Sequence, residues 1–200
     1  MIRATAFVAA ALLASSALAQ APSNLVRIRG TVESFDGKTL NVKARNGQSM
    51  AVKLPENVVV IGLHKASPAD ISNNKYVGTT TVGEKDGNLI AEEVHIFPEN
   101  MRGTGEGHRD WDLKPNSKMT NANVATIVGM GKDHIMTVQY KGGEKKVLVT
   151  PQTAVVSYAP ASKAELKPGA PVFINAERQA DGSITAPRVN VGLNGQVPPM

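Results

Sequence analysis

The chain contains no cysteine among its 200 residues, which excludes disulfide bonds, thiolate catalysis and cysteine-based zinc sites. Aromatic residues make up only 4% of it, and the formal net charge is a mild +5. A nucleic-acid groove would need a basic stripe with interleaved aromatic side chains, whereas the lysines and arginines here are scattered singly. We therefore predict no nucleic-acid partner, and a fold that is held together by packing alone.

Long hydrophobic runs are also missing, and the longest one, residues 4–13, is too short to span a bilayer. Arg3 precedes this run, and the small residues Ala17 and Ala19 follow it, as in a secretory signal peptide. We predict a signal peptide over residues 1–19, with cleavage after Ala19. Loss of Arg3 would then lower the formal charge from +5 to +4. We expect a periplasmic protein without a membrane span after cleavage.

The chain resembles itself at a nearly constant spacing, which predicts an internal duplication. Turn and strand patterns recur 96 residues later at 36–42 and 132–138, 54–55 and 150–151, and 58–60 and 154–156. After one deletion the spacing becomes 95, and residues 86–91 match residues 181–186.

Each copy has the pattern of a small β domain. Dipeptides such as Asp36-Gly37 and Asn46-Gly47 are typical of hairpin turns, and alternating apolar and polar residues separate them. The order of three strands, a short helix and two more strands is typical of an OB-like barrel. We predict an all-β fold of two tandem five-stranded OB-like barrels, covering residues 24–99 and 122–193, with a Gly-rich linker at 100–121 and a tail at 194–200.

Two segments resemble known bacterial sequences. Residues 164–186, with Glu165-Leu166-Lys167-Pro168-Gly169 and Asp181-Gly182-Ser183-Ile184-Thr185-Ala186, resemble the exported β-barrel domains grouped as DUF5666; residues 71–75 match that pattern more loosely. The linker string Arg-Gly-Thr-Gly-Glu-Gly-His-Arg, residues 102–109, is similar to a segment of exported alphaproteobacterial periplasmic proteins. The resemblance implies a fold and assigns no activity.

The linker holds the only tryptophan and an unusual cluster of charged residues. One interpretation is structural, in which Trp111 packs between the domains and the glycines let the chain turn. The other is a ligand site at the domain junction, where binding sites are common. The candidate ligand-binding residues are Arg102, His108, Arg109, Asp110, Trp111 and Asp112. They suit a small anionic ligand or a partner protein of the cell envelope.

A metal site is an alternative, with His95 and His108 as its ligands, since imidazole binds divalent transition metals. It is the weaker interpretation because no histidine pair has a recognised ligand spacing. Glu93 and His95 share one face of a predicted strand. Their counterparts in the second copy are Arg188 and Asn190, so we expect this face to be solvated.

Catalytic residues are not predicted. The chain has no G-x-S-x-G nucleophile motif, and its adjacent carboxylates Glu92 and Glu93 would point to opposite faces of a strand. No cofactor is predicted either. We expect a non-catalytic exported binding or structural module, or alternatively a metal- or anion-binding accessory protein that serves a transporter.

Overall fold

The computed structural model describes residues 24–130 and 132–200, so the predicted signal peptide at 1–19 lies outside the described residues. The described chain is all-β, as predicted. Its strands are β1 (Leu25–Phe35), β2 (Thr39–Ala44), β3 (Ser49–Lys53), β4 (Val59–Lys65), β5 (Tyr76–Lys85), β6 (Asn88–Ile96), β7 (Gly107–Asp110), β8 (Lys118–Met130), β9 (Asp133–Tyr140), β10 (Gly143–Val149), β11 (Ala154–Pro160), β12 (Pro171–Arg178), β13 (Ile184–Thr185) and β14 (Arg188–Gly192).

Over residues 24–130 and 132–200, helix is limited to three single-turn 3-10 segments at Pro68–Asp70, Glu99–Met101 and Lys163–Glu165. Among the described residues, no helix has the length and apolar character needed to cross a membrane.

The first hairpin shows how local sequence produces these strands. In β1 the apolar Ile28 and Val32 are buried, because successive side chains of a strand point to opposite faces. The turn to β2 is closed by the Asp36 carboxylate, whose Oδ1 accepts the backbone N–H groups of Lys38 and Thr39. Gly37 supplies the positive φ of 97° that the turn requires.

The strands form one fourteen-stranded sheet that closes on itself. β1, β2, β3, β13 and β12 form a closed five-stranded barrel, with β12 pairing back onto β1. A second circuit of pairings runs through β6, β10, β9, β8 and β5 and returns to β6. β14, β4 and β11 connect the two circuits, with β14 pairing with β12 and β11 pairing with β6.

The structure does not show the two tandem barrels that we predicted. β12 and β13, from the second predicted domain, complete the barrel of β1–β3, while β5 and β6, from the first, pair with β8–β10. The alternation of apolar and polar residues indicates which face of a strand is buried, but it does not specify which strand pairs with it. The sequence pattern was therefore compatible with either connection.

The pairings nevertheless recur between the two halves. Val52 pairs with Ile184 in parallel, and the residues 95 positions away from each, Val147 and Leu89, also pair in parallel. Leu63 pairs with Tyr158, which is 95 positions away from it. These pairings recur at a spacing of 95, and the duplication itself stays a prediction.

The core consists of three clusters of buried residues. One lies among β1–β3 and β12–β14 and includes Ile28 and Ile174, and a second involves β5, β6 and β8–β10 and includes Val94 and Val138. The third joins residues of both circuits, among them Phe173.

The predicted linker and tail are both more ordered than we expected. Residues 107–110 form β7 and residues 118–121 begin β8, so the linker is partly strand. At the other end, Met200 is buried in the third core cluster, and its backbone oxygen accepts a hydrogen bond of 2.8 Å from Arg29 Nε. Residues 194–200 therefore pack on the body of the fold.

Candidate functional site

A hairpin built from the predicted linker positions the candidate site. β7 pairs antiparallel with the start of β8. The Trp111 N–H donates to Ser117 O at 2.9 Å, and Ser117 Oγ donates to Trp111 O at 2.9 Å, which closes the turn. This hairpin brings Arg109 and Trp111 to the wall of a cavity of about 180 Å³ between strands of both circuits. We call it the central cavity; its lining includes His95, Arg109, Trp111, Asn121, Arg188 and Asn190.

Trp111 is the centre of a cation–π cluster on one wall. The guanidinium carbon of Arg27 lies 4.1 Å from the indole ring centroid, and that of Arg109 lies 5.8 Å away. The indole also packs against Phe173, with ring centroids 6.3 Å apart. Such contacts attract a cation to the face of an aromatic ring. Trp111 thus orients two arginines, which agrees with the packing interpretation of this residue and also places it on the cavity.

Asp112 is occupied by neighbouring arginines. Its Oδ1 lies 2.7 Å from Arg29 Nη2, and its Oδ2 lies 3.4 Å from Arg27 Nη1. Burial raises the pKa of Asp112, but the hydrogen bond and charge of Arg29, together with the charge of Arg27, outweigh it and leave the pKa below 3.8. The carboxylate is therefore ionised at neutral pH.

Arg109 and Arg188 remain without a carboxylate partner in the part of the chain that the structure describes. Both side chains are exposed at the mouth of the cavity. Arg109 Nη1 donates to Gly105 O at 2.7 Å, which fixes one edge of the guanidinium. Desolvation, followed by the charge of Arg27, lowers the pKa of Arg109. An anion bound at the mouth would counter both effects on the pKa, because its negative charge favours the charged guanidinium.

The floor of the cavity contains a buried ionisable pair. His95 and Glu93 are 3% and 1% exposed, so the prediction that this face is solvated is wrong. His95 Nδ1 lies 3.0 Å from Glu93 Oε2. Glu93 Oε1 also accepts hydrogen bonds from Thr80 N at 3.1 Å and Thr80 Oγ1 at 2.7 Å. This network assigns a hydrogen to Nδ1 of His95 and directs Nε2 away from Glu93.

Gly78 makes room for the His95 ring. It pairs with His95 across β5 and β6 and with Asn121 across β5 and β8. A Cβ atom at position 78 would lie 2.0 Å from His95 Nε2 and 2.6 Å from Asn121 Oδ1. The two polar atoms therefore face the same small space.

Asn121 has one satisfied and one unsatisfied end. Its Nδ2 donates to Thr104 O at 3.0 Å, and the same carbonyl accepts Tyr76 Oη at 3.2 Å. Burial raises the pKa of Tyr76 to about 12, so this phenol stays protonated and can donate. Asn121 Oδ1 is buried and has no hydrogen-bond partner among the described residues, and the same holds for Trp111 Nε1. Both Asn121 and Trp111 line the central cavity.

Comparison of the chain with protein-family models, with curated proteins and with solved structures finds no match. The resemblance to DUF5666 domains therefore stays a prediction, and the function has to be argued from the site.

Three of the predicted ligand-binding residues lie away from the cavity. Arg102 Nη2 donates to Glu99 Oε2 at 2.7 Å. Asp110 pairs with Lys118 on the surface. His108 Nδ1 lies 2.8 Å from Thr120 Oγ1. Of the six candidates, the structure brings together Arg109, Trp111 and Asp112.

The predicted metal pair is also separated. His95 is in line with Gly78, Asn121 and Gly107 across neighbouring strands. His108 follows Gly107 directly, so it lies on the opposite face of the sheet. Within the described residues, no group of three or more histidine, aspartate or glutamate residues could hold a metal ion.

Sequence reasoning missed the residues that the strands contribute. Arg27 and Arg29 alternate with the buried Ile28, and this alternation indicates only that they lie on the other face of β1. A sequence signal was available, because Glu93 and Arg188 lie 95 residues apart at matching positions and carry opposite charges. The arginine gives one side of the cavity a basic character.

Proposed function

We propose that this protein is a non-catalytic, exported binding module that takes a small anion in the central cavity. The observation that carries the proposal is the pair of arginines at its mouth, Arg109 and Arg188, which lack a carboxylate partner among the described residues. Arginine presents several N–H donors in a plane and is well suited to bind carboxylate or phosphate groups.

The charge around the cavity supports an anion over a cation. Arg109 and Arg188 line it, and Arg27 and Arg29 stack on the lining residues Trp111 and Phe173, against the neighbouring carboxylates Glu93 and Asp112. Glu93 is shielded beneath His95, and Asp112 is shared by two of the arginines. The balance of fixed charge at the opening is thus positive.

The size of the cavity limits the ligand. A volume of about 180 Å³ corresponds to about six water molecules at about 30 Å³ each. Pockets for drug-sized ligands have volumes of about 300–1,000 Å³. We therefore expect a ligand, or the part of a ligand that fills the cavity, of roughly five to ten non-hydrogen atoms.

The proposal also includes the location of the protein, its partner and the origin of its fold. The signal-peptide pattern of residues 1–19 supports a periplasmic location, with an envelope protein as a further partner. The recurrence of strand pairings 95 residues apart supports two OB-like units from a duplicated ancestor that have exchanged strands. The alternative of an anion-binding accessory protein that serves a transporter is compatible with the same cavity.

Isothermal titration calorimetry with propionate, lactate, phosphate and sulfate tests the proposal. Arg109→Gln should weaken binding of the best anion at least about tenfold, since hydrogen bonds to charged groups contribute about 1.5–3 kcal/mol. Arg178→Gln is the matched control, because Arg178 is an exposed arginine that does not line the cavity. Equal weakening by both variants, or no binding of any anion, would refute the proposal. NMR of the ligand after incubation should recover it unchanged.

A further inference from the structure

We infer that the anion is a small hydroxycarboxylate, whose carboxylate binds at the arginines while a hydroxyl group donates a hydrogen bond to Asn121 Oδ1. The inference rests on the proposed function and names the chemical class of its ligand. It depends on an acceptor on the floor of the cavity that nothing in the described chain satisfies.

Asn121 supplies that acceptor. The residue is 5% exposed, and Oδ1 is buried without a hydrogen-bond partner in the described chain. Its orientation is fixed, because Nδ2 donates to the backbone oxygen of Thr104. A buried polar atom without a partner is costly, so a ligand that donates to it gains binding energy that a purely apolar group would not.

His95 adds a second polar atom close by. Its Nδ1 is directed to Glu93, which leaves Nε2 to a ligand hydroxyl, a group that can both donate and accept. Nε2 and Oδ1 lie 2.0 Å and 2.6 Å from the point that a Gly78 side chain would occupy, so they cannot be more than about 4.6 Å apart. One hydroxyl can therefore lie within reach of both atoms.

Trp111 provides the complementary donor. Its Nε1 is buried without an acceptor among the described residues, and the residue lines the same cavity. A hydroxyl accepts as well as donates, so it can satisfy Trp111 Nε1 or Asn121 Oδ1. An ammonium group could only donate, and it would be repelled by the excess of guanidinium groups around the cavity. These two properties favour a hydroxyl over an amine.

The experiment measures the Kd of matched pairs of acids by isothermal titration calorimetry. Lactate and propionate differ by one hydroxyl, as do malate and succinate, and alanine replaces the hydroxyl with an ammonium group. We expect lactate to bind about fivefold to tenfold more tightly than propionate, and malate more tightly than succinate by a similar factor. Alanine should bind more weakly than lactate.

The variant Asn121→Leu, of similar shape, should bring the Kd values of lactate and propionate to the same value, whatever its effect on the binding of both. The unfolding midpoint of the variant, measured separately, shows that it is folded. Asn41→Leu is the control, because Asn41 bonds to Ser34 on a different strand pair outside the cavity. It should keep the preference.

Each remaining outcome decides one point. Equal Kd values for lactate and propionate, both weakened by Arg109→Gln, would overturn the hydroxycarboxylate and leave the anion site standing. Tighter binding of alanine than of lactate would overturn the hydroxyl. A preference that survives in Asn121→Leu would overturn the role of Asn121. If phosphate or sulfate binds and none of the acids does, the hydroxycarboxylate is overturned and the anion site stands; if no anion binds, the proposed function fails as well.

Discussion

The substitution Gly78→Ala tests the packing at the floor of the central cavity. A methyl group at this position would lie 2.0 Å from His95 Nε2, 2.3 Å from His95 Cε1 and 2.6 Å from Asn121 Oδ1. The ring cannot move freely, because its edge packs on Phe97 with centroids 4.9 Å apart and its Nδ1 bonds to Glu93. Either the ring or the backbone of β5 must shift.

The cost follows from these contacts. Overpacking of a filled core costs about 1–3 kcal/mol. A displaced His95 also leaves the buried Glu93 carboxylate short of a donor, which adds about 1–3 kcal/mol. Against this, replacing glycine by alanine in a strand gains about 0.5–1 kcal/mol from the lower entropy of the unfolded chain. We expect a net loss of about 2–4 kcal/mol in the free energy of unfolding.

Urea denaturation followed by the fluorescence of the single tryptophan measures this loss. The control is Gly129→Ala in β8, where the nearest atom to an added Cβ is His134 Nδ1 at 3.7 Å, an ordinary contact. Its free energy of unfolding should stay within about 1 kcal/mol of wild type. Because His95→Ala removes the atoms that clash, the double variant should lose less stability than the sum of the losses of the two single variants. If Gly78→Ala is as stable as Gly129→Ala, the described floor of the cavity is wrong.

Three further substitutions or titrations have defined outcomes. Because the pKa of Asp112 is lowered in the folded protein, its contribution is present above its ordinary pKa and is lost as the pH falls through the folded value. Asp112→Asn should therefore destabilise by about 0.5–1 kcal/mol at pH 7 and by progressively less below about pH 4 in urea titrations, since Asp112 is partly exposed; a pH-independent difference would contradict the pairing with Arg29. Met200→Ala should cost about 2–5 kcal/mol because Met200 is buried, whereas Val197→Ala, which is 52% exposed, should cost under about 0.5 kcal/mol; equal unfolding midpoints would show that the tail is not packed. Burial, then the charges of nearby lysines, lowers the pKa of His108 below 6.5, so an NMR titration should place its midpoint below that value, and His108→Gln should lose less stability than wild type as the pH falls from 7 to 5. A midpoint above 6.5 would contradict the burial of this ring.

Much of the fold was predictable, because strands and hairpin turns are local features. The alternation around Ile28 and the Asp36-Gly37 turn indicate two strands joined by a hairpin turn, which is where β1 and β2 lie. The all-β class follows from many such segments, since side-chain alternation and turn residues act over a few positions. The partner of each strand does not follow, because any strand with one apolar face can pair with several others.

The residues of the candidate site were likewise predictable only in part. Residue type alone pointed to Arg109, Trp111 and Asp112, since an isolated tryptophan among charges is unusual in a chain with so few aromatics. Arg27 and Arg188 looked like ordinary solvent-facing positions, because period-2 alternation cannot distinguish a solvated face from one covered by a second layer. Arg188 lines the cavity, and Arg27 stacks on Trp111 of its wall, only because strands from the two halves of the chain are brought side by side.

The amino-acid sequence by itself determined the strands, the turns and the apolar face of each strand, because these depend on backbone preferences and neighbours a few residues away. Only the tertiary structure decided that β12 and β13 close the barrel begun by β1, that His95 and Glu93 are buried, and that His95 and His108 lie on opposite faces. Those outcomes depend on contacts between residues far apart in the chain, whose free energies are set by the packing of the whole sheet.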